Sequence, residues 1–220
     1  MREPPITFCR ESIQAVYDRT KTQTRQIEGL KILNEHPDFY RDATLLSDGT
    51  WRFNGYGTGD FKFVKPRYRV GDECWIKEGF RFTGGGSWKG VLYRADGEDT
   101  VQSYVGINDG RAVTLPESLW SQWDHYVYKT KISCGWRSSR FMPKWASRGK
   151  VRILQVKDPE RVSTISEEDC IAEGIIPNER ESYTDGFHNL WDSLHTKPDE
   201  RFEHGPWEFP YVFELIEEPK

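Results

Sequence analysis

At 220 residues, with 36% hydrophobic and 30% charged positions, the chain is long enough to bury one sizeable core. Twelve phenylalanines, ten tyrosines and nine tryptophans supply burial area that a wholly disordered chain lacks. The net charge of -4 argues against bulk polyanion binding, no apolar run reaches the roughly 18 residues of a membrane span, and Met-Arg-Glu-Pro-Pro lacks the apolar core of a secretory signal, so a cytoplasmic protein with no membrane partner is expected.

In chain order, Ile6 and Phe8 alternate with Thr7 as a strand does, and Ile13, Val16 and Tyr17 recur as one buried helix stripe. At the exit of that helix stands Lys21-Thr22-Gln23-Thr24-Arg25. Two readings are open here. A lysine with a lowered pKa can activate a nearby hydroxyl, with Arg25 holding an oxyanion, or the phrase is a solvated polar turn. Residues 30–62 show no sustained periodicity and read as a loop insertion with room for one hairpin at Asp48-Gly49. The glycines from Gly55 to Gly59 lack the spacing of a dinucleotide fingerprint, and no cofactor is expected. A strand follows the Gly71-Asp72 turn, Gly84-Gly85-Gly86 breaks the next run, and extended character resumes from Gly90.

Residues 96–135 read as a second insertion, whose Trp120, Trp123, Tyr126 and Tyr128 either line a pocket mouth or form a satellite core. From Lys129 to Lys157 the chain carries nine lysines and arginines and no acid. Trp136 and Trp145 interleave with Arg140, Lys144 and Arg148, a composition that stacks bases while neutralising phosphates; the other reading is a basic strand with its aromatics in the core. Residues 151–156 have high strand propensity. Ser166-Glu167-Glu168-Asp169 predicts a capping box and Gly174 a helix stop, which leaves Glu173 at the unfavourable negative end of the helix dipole. Phe187, Leu190, Trp191 and Leu194 form the strongest amphipathic stripe and are expected in the core. Tyr211, Phe213 and Leu215 alternate as a final strand. Cys9, Cys74, Cys134, Cys170 and the five histidines are scattered, so neither a disulfide framework nor a metal site is expected.

Residues 6–25, 71–75, 166–174 and 207–214 resemble the ASCH family of PUA-like β-barrels. Phe141-Met142-Pro143-Lys144-Trp145-Ala146-Ser147-Arg148 is similar to a phrase in ASCH proteins of phages and prophages. One departure stands out, for Arg19 occupies the position of a family glycine two residues before the lysine. The resemblance implies a single α+β domain, a mixed β-barrel with a few flanking helices and the two insertions. The small acetylcytidine amidohydrolases of this family use a lysine, a threonine and a glutamate, which match Lys21, Thr24 and Glu173 here. By that match Thr24 is the nucleophile, Lys21 its base and Glu173 the acid/base, with Arg25, Trp136, Arg140, Lys144, Trp145 and Arg148 contacting a nucleoside or nucleic acid. Other family members imply two alternatives, a non-catalytic nucleic-acid-binding module using residues 129–157 and a metal-independent ribonuclease.

Overall fold

The computed structural model describes residues 2–57, 59–85, 88–96, 112–129 and 135–217. Its elements in chain order are β1 (Pro5–Thr7), α1 (Arg10–Tyr17), β2 (Gln23–Gln26), α2 (Lys31–Asn34), β3 (Tyr40–Leu45), β4 (Trp51–Gly55), β5 (Phe61–Val64), β6 (Glu73–Lys77), β7 (Phe80–Gly85), β8 (Trp88–Tyr93), β9 (Val113–Thr114), α3 (Trp120–Lys129), β10 (Lys150–Val156), β11 (Glu160–Arg161), α4 (Glu167–Ala172), α5 (Tyr183–Leu194) and β12 (Trp207–Glu217). The architecture is α+β, built on a curled mixed half-barrel sheet. That sheet runs β1-β6-β10-β12-β11, with β2 also paired to β12. Among the described residues only β1 and β6 pair in parallel there, Ile6 opposite Ile76.

The final strand organises the half-barrel. It pairs with β2 from Phe209 to Val212 and with β10 from Tyr211 to Glu217. Two register irregularities in the β10 pairing bend it. Its residues Phe209, Tyr211 and Phe213 are buried together with Ile6, Ile13, Val16, Cys74, Ile76, Val151 and Ile153 in the largest apolar cluster. The alternation read at the C-terminus therefore marks a true inward face.

The first expected insertion contains the hairpin read at Asp48-Gly49, between β3 and β4, but goes beyond a loop. Residues 40–64 form a three-stranded antiparallel sheet, β3-β4-β5. Trp51 and Phe53 on its central strand alternate inward and join the main core. The sheet is inconspicuous in sequence because β5 shows Phe61, Lys62 and Phe63 all to solvent, so its pattern has no period of two. In the second expected insertion, α3 lays Trp120, Trp123 and Tyr126 onto Phe80, Phe82, Val91 and Tyr93 of the β7-β8-β9 sheet. Those aromatics are a satellite core. Residues 97–111 and 130–134, including Cys134, lie outside the described residues. No helix among the described residues is long and apolar enough to cross a membrane.

Candidate active-site cleft

The polar phrase after α1 is aimed by two helix ends that face each other. Arg19 has φ 61°, and the N–H groups of Arg19 and Thr20 donate to the carbonyls of Val16 and Ala15 at 3.1 and 2.9 Å. These are the two bonds of a Schellman termination. Arginine thus holds the left-handed conformation that glycine adopts readily, at a strain of about 1–2 kcal/mol. Helix α4 ends the same way at Gly174, φ 75°, with Gly174 and Ile175 donating to Ile171 and Cys170. Here glycine is needed twice over. Besides the positive φ, a Cβ at 174 would stand 3.0 Å from Lys21 Cβ and 3.1 Å from Ala15 Cβ. The chain then passes into β2, with Thr22 N–H donating to the Ala172 carbonyl at 2.8 Å and its own carbonyl accepting from Phe213 N–H at 2.9 Å.

This threading seals Lys21 at 4% exposure against Glu173 at 5%. The ammonium pairs with Glu173 Oε2 and donates to the Glu173 backbone carbonyl at 2.8 Å. A glutamate at a helix C-terminus is unfavourable alone. Two cations offset it, for Arg25 Nη1 binds its other oxygen at 3.0 Å. Arg25 also donates from Nε to Glu208 and from Nη2 to Glu160 and Asp169, each at 2.8 Å. Burial pulls the Arg25 pKa down, but Glu208 and Glu173 outweigh it and hold the guanidinium charged. Burial likewise drives Glu208 well above the usual carboxylate range, with only partial relief from Arg25. Asp169 moves the other way. Its desolvation is outweighed by Lys157 and Arg25, and it stays below its ordinary value.

That pairing alters the helix cap. Ser166 accepts from Asp169 N–H at 3.1 Å, but the Asp169 carboxylate reaches Lys157 and Arg25 rather than returning to Ser166. The capping box predicted for α4 is half built. A complete one starts α5, between Ser182 and Asp185.

Lys21, Thr24 and Glu173 line one cleft of about 530 Å³. Thr24, on β2 opposite Tyr211, is itself buried at 6% exposure. The cleft wall continues through Phe8, Phe187, Leu190, Trp191 and Leu194. The α5 stripe is therefore divided. Phe187 and Trp191 are buried, whereas Leu194 is half exposed, because this helix turns one edge to the cleft instead of the core. His195 closes that end, stacked on Trp191 with ring centroids 4.2 Å apart, and burial lowers its pKa.

Arg25 lines the cleft, but its 1%-exposed guanidinium is directed at four carboxylates. It acts as a clamp on Glu173. The other five residues expected to contact a ligand do not line the cleft. Arg148 is bidentate on Glu78 at 2.9 Å and also pairs with Asp96. Lys144 pairs with Glu3, and Arg140 is exposed beside Phe141. Trp145 stacks on Phe82 at 5.3 Å in the satellite core. Trp136 lies beneath Arg81 and Arg94.

Nor do residues 129–157 form a continuous positive face. Among the described residues Lys144, Arg148, Lys150, Arg152 and Lys157 all pair with acids from other segments. The acid-free run is compensated in three dimensions. Its Arg137 does reach the cleft, as do Arg94 and Glu78, none of which the linear reading singled out. Glu78 directly follows the buried β6 strand, the one sequence signal that could have marked it. Burial raises its pKa, against the pull of Arg148 and the Tyr17 hydroxyl. Among the described residues no group of three or more His, Cys, Asp or Glu side chains is arranged to hold a metal ion. Comparison of the chain with protein-family models, with curated proteins and with solved structures finds no match.

Proposed function

We propose that this is an ASCH-type, PUA-like protein that accommodates an acylated pyrimidine nucleoside in the cleft and hydrolyses the amide on its base. The observation that carries the reading is that Lys21 and Thr24, from the segment entering β2, and Glu173, at the end of α4, line one cleft with Lys21 and Glu173 already ion-paired. A cleft of about 530 Å³ has the size of a small-molecule site. Its aromatic and aliphatic wall suits the flat face of a base, and the neutralised basic segment favours a nucleoside over a polymer.

Thr24 Oγ1 attacks the acyl carbon while Lys21 Nζ takes the hydroxyl proton. To act as a base, Lys21 first hands a proton to Glu173. At rest the two are ion-paired, with Arg25 on the second Glu173 oxygen. The exocyclic amine leaves with the proton returned by the pair, and water then hydrolyses the Thr24 ester to release the carboxylic acid.

The test is mass-spectrometric turnover of a panel of acylated pyrimidine nucleosides. Thr24→Ala should reduce turnover by about a thousandfold or more, and Lys21→Ala comparably, while Thr24→Ser retains part of it. Wild-type protein inert across the panel overturns the hydrolytic reading.

A further inference from the structure

One end of the cleft carries cationic and hydroxyl groups that the hydrolytic machinery does not use. Arg137 and Arg94 are brought there by a single turn of chain. Arg94 N–H donates to the Gly79 carbonyl at 2.8 Å, and Arg137 exchanges both backbone hydrogen bonds with Phe80, at 2.8 and 3.2 Å. Gly79 permits this approach, since a Cβ there would meet Arg94 Cβ at 3.2 Å and Cδ at 3.4 Å. Ser138 and Ser139 follow Arg137 along the same wall.

Among the described residues the three glutamates of the cleft wall each pair with a cation. Glu173 holds Lys21 and Arg25, Glu78 holds Arg148, and Glu28 holds Arg67. Arg137 differs. Among the described residues no carboxylate pairs with it, its Nε is buried without a hydrogen-bond partner, and its guanidinium rests 6.0 Å from the Tyr126 ring centroid. A guanidinium without a carboxylate partner lacks a countercharge, and a phosphate supplies the countercharge and acceptor oxygens together.

We infer that the Arg137, Ser138 and Ser139 end of the cleft is a phosphate subsite, so that the preferred ligand is a mononucleotide rather than the free nucleoside. The inference rests on the nucleoside reading of the cleft and names the form of that ligand. The base would lie toward Thr24 and the α5 aromatics, with the phosphate at Arg137.

Isothermal titration of an acylated pyrimidine nucleoside and its 5′-monophosphate, with inorganic phosphate as competitor, tests it. The wild-type protein should bind the monophosphate about tenfold or more tightly than the nucleoside, the scale of one charge-assisted contact in a half-buried site. Arg137→Gln should abolish that preference and leave nucleoside affinity unchanged, Arg137→Lys should retain part of it, and phosphate should compete only with the monophosphate. If Arg137→Gln fails to fold, Ser138→Ala with Ser139→Ala serves, and should reduce the preference. Equal binding of the two ligands, or a preference that survives these variants, overturns the subsite while nucleoside binding and turnover stand. A preference dependent on Arg137 without turnover supports the subsite and sinks the hydrolytic reading. Failure of both ligands to bind overturns both.

Discussion

Arg25 and Arg148 are both buried guanidiniums that hold a carboxylate of the cleft wall, Glu173 in one case and Glu78 in the other. Their surroundings differ in where the excess negative charge resides. Around Arg148 it lies on Asp96, whose side chain is 32% exposed, while both Glu78 oxygens receive guanidinium N–H groups. Tyr17 and Tyr93 cover the guanidinium faces at 5.1 and 4.1 Å. Around Arg25 the excess lies on Glu208, fully buried, with Oε2 lacking any hydrogen-bond partner. Water can screen Asp96 but cannot reach Glu208. The Arg148 cluster is a closed structural clamp, whereas the Arg25 cluster holds a carboxylate whose relief is a proton.

The largest effect should follow from Arg25→Met, which strands Glu173 and Glu208 without a guanidinium. Urea unfolding should show a loss of about 3–5 kcal/mol. Arg148→Met strands only Glu78 in a buried position and should cost less, near 3 kcal/mol. A larger loss at Arg148 than at Arg25 would break the comparison.

Acidity sharpens it. Glu208 and Glu78 have raised folded-state pKa values, so their protonation favours the folded form. Their contribution is complete below the unfolded value of about 4.5 and is lost as pH rises through the folded values. Asp169, whose value is lowered from 3.8, opposes this only at more acidic pH, whereas His195, lowered from 6.5 by burial, opposes it within the window below neutral. Thermal melts between neutral pH and about 4.5 should therefore contain a stabilising contribution on acidification, set against the opposing one of His195, that Glu208→Gln diminishes relative to wild type. An unchanged pH profile in Glu208→Gln would falsify the assignment of that excess charge to Glu208.

The smallest effects separate the two helix ends. Arg19→Gly relieves a left-handed arginine but loosens the unfolded chain and removes the Arg19 Nη1 contact to the Leu215 carbonyl at 3.4 Å. The net change in unfolding free energy should stay within about 1 kcal/mol. Gly174→Ala should be worse than that, because strain is joined by the contact with Lys21.

Local patterns in the chain were sufficient for α1, α4, α5 and the inward face of β12, since helix stripes and strand alternation report directly which side is buried. The family resemblance, not a local pattern, selected Lys21, Thr24 and Glu173, which line one cleft although lysine and glutamate are 152 positions apart. Of the β3-β4-β5 sheet the hairpin turn at Asp48-Gly49 was legible, but β5 escaped because a strand exposed on both faces carries no alternation. What tertiary structure alone decided is the disposition of charge. An acid-free run of nine cations looks like a polyanion surface on paper. Five of the described ones meet carboxylates brought in from Glu3, Glu73, Glu78, Asp96, Asp169, Glu214 and Glu217. Coulomb interactions fall with distance through space, not along the chain, so only the fold determines that Arg148 is paired with two carboxylates while Arg137, on the cleft wall, is paired with none among the described residues.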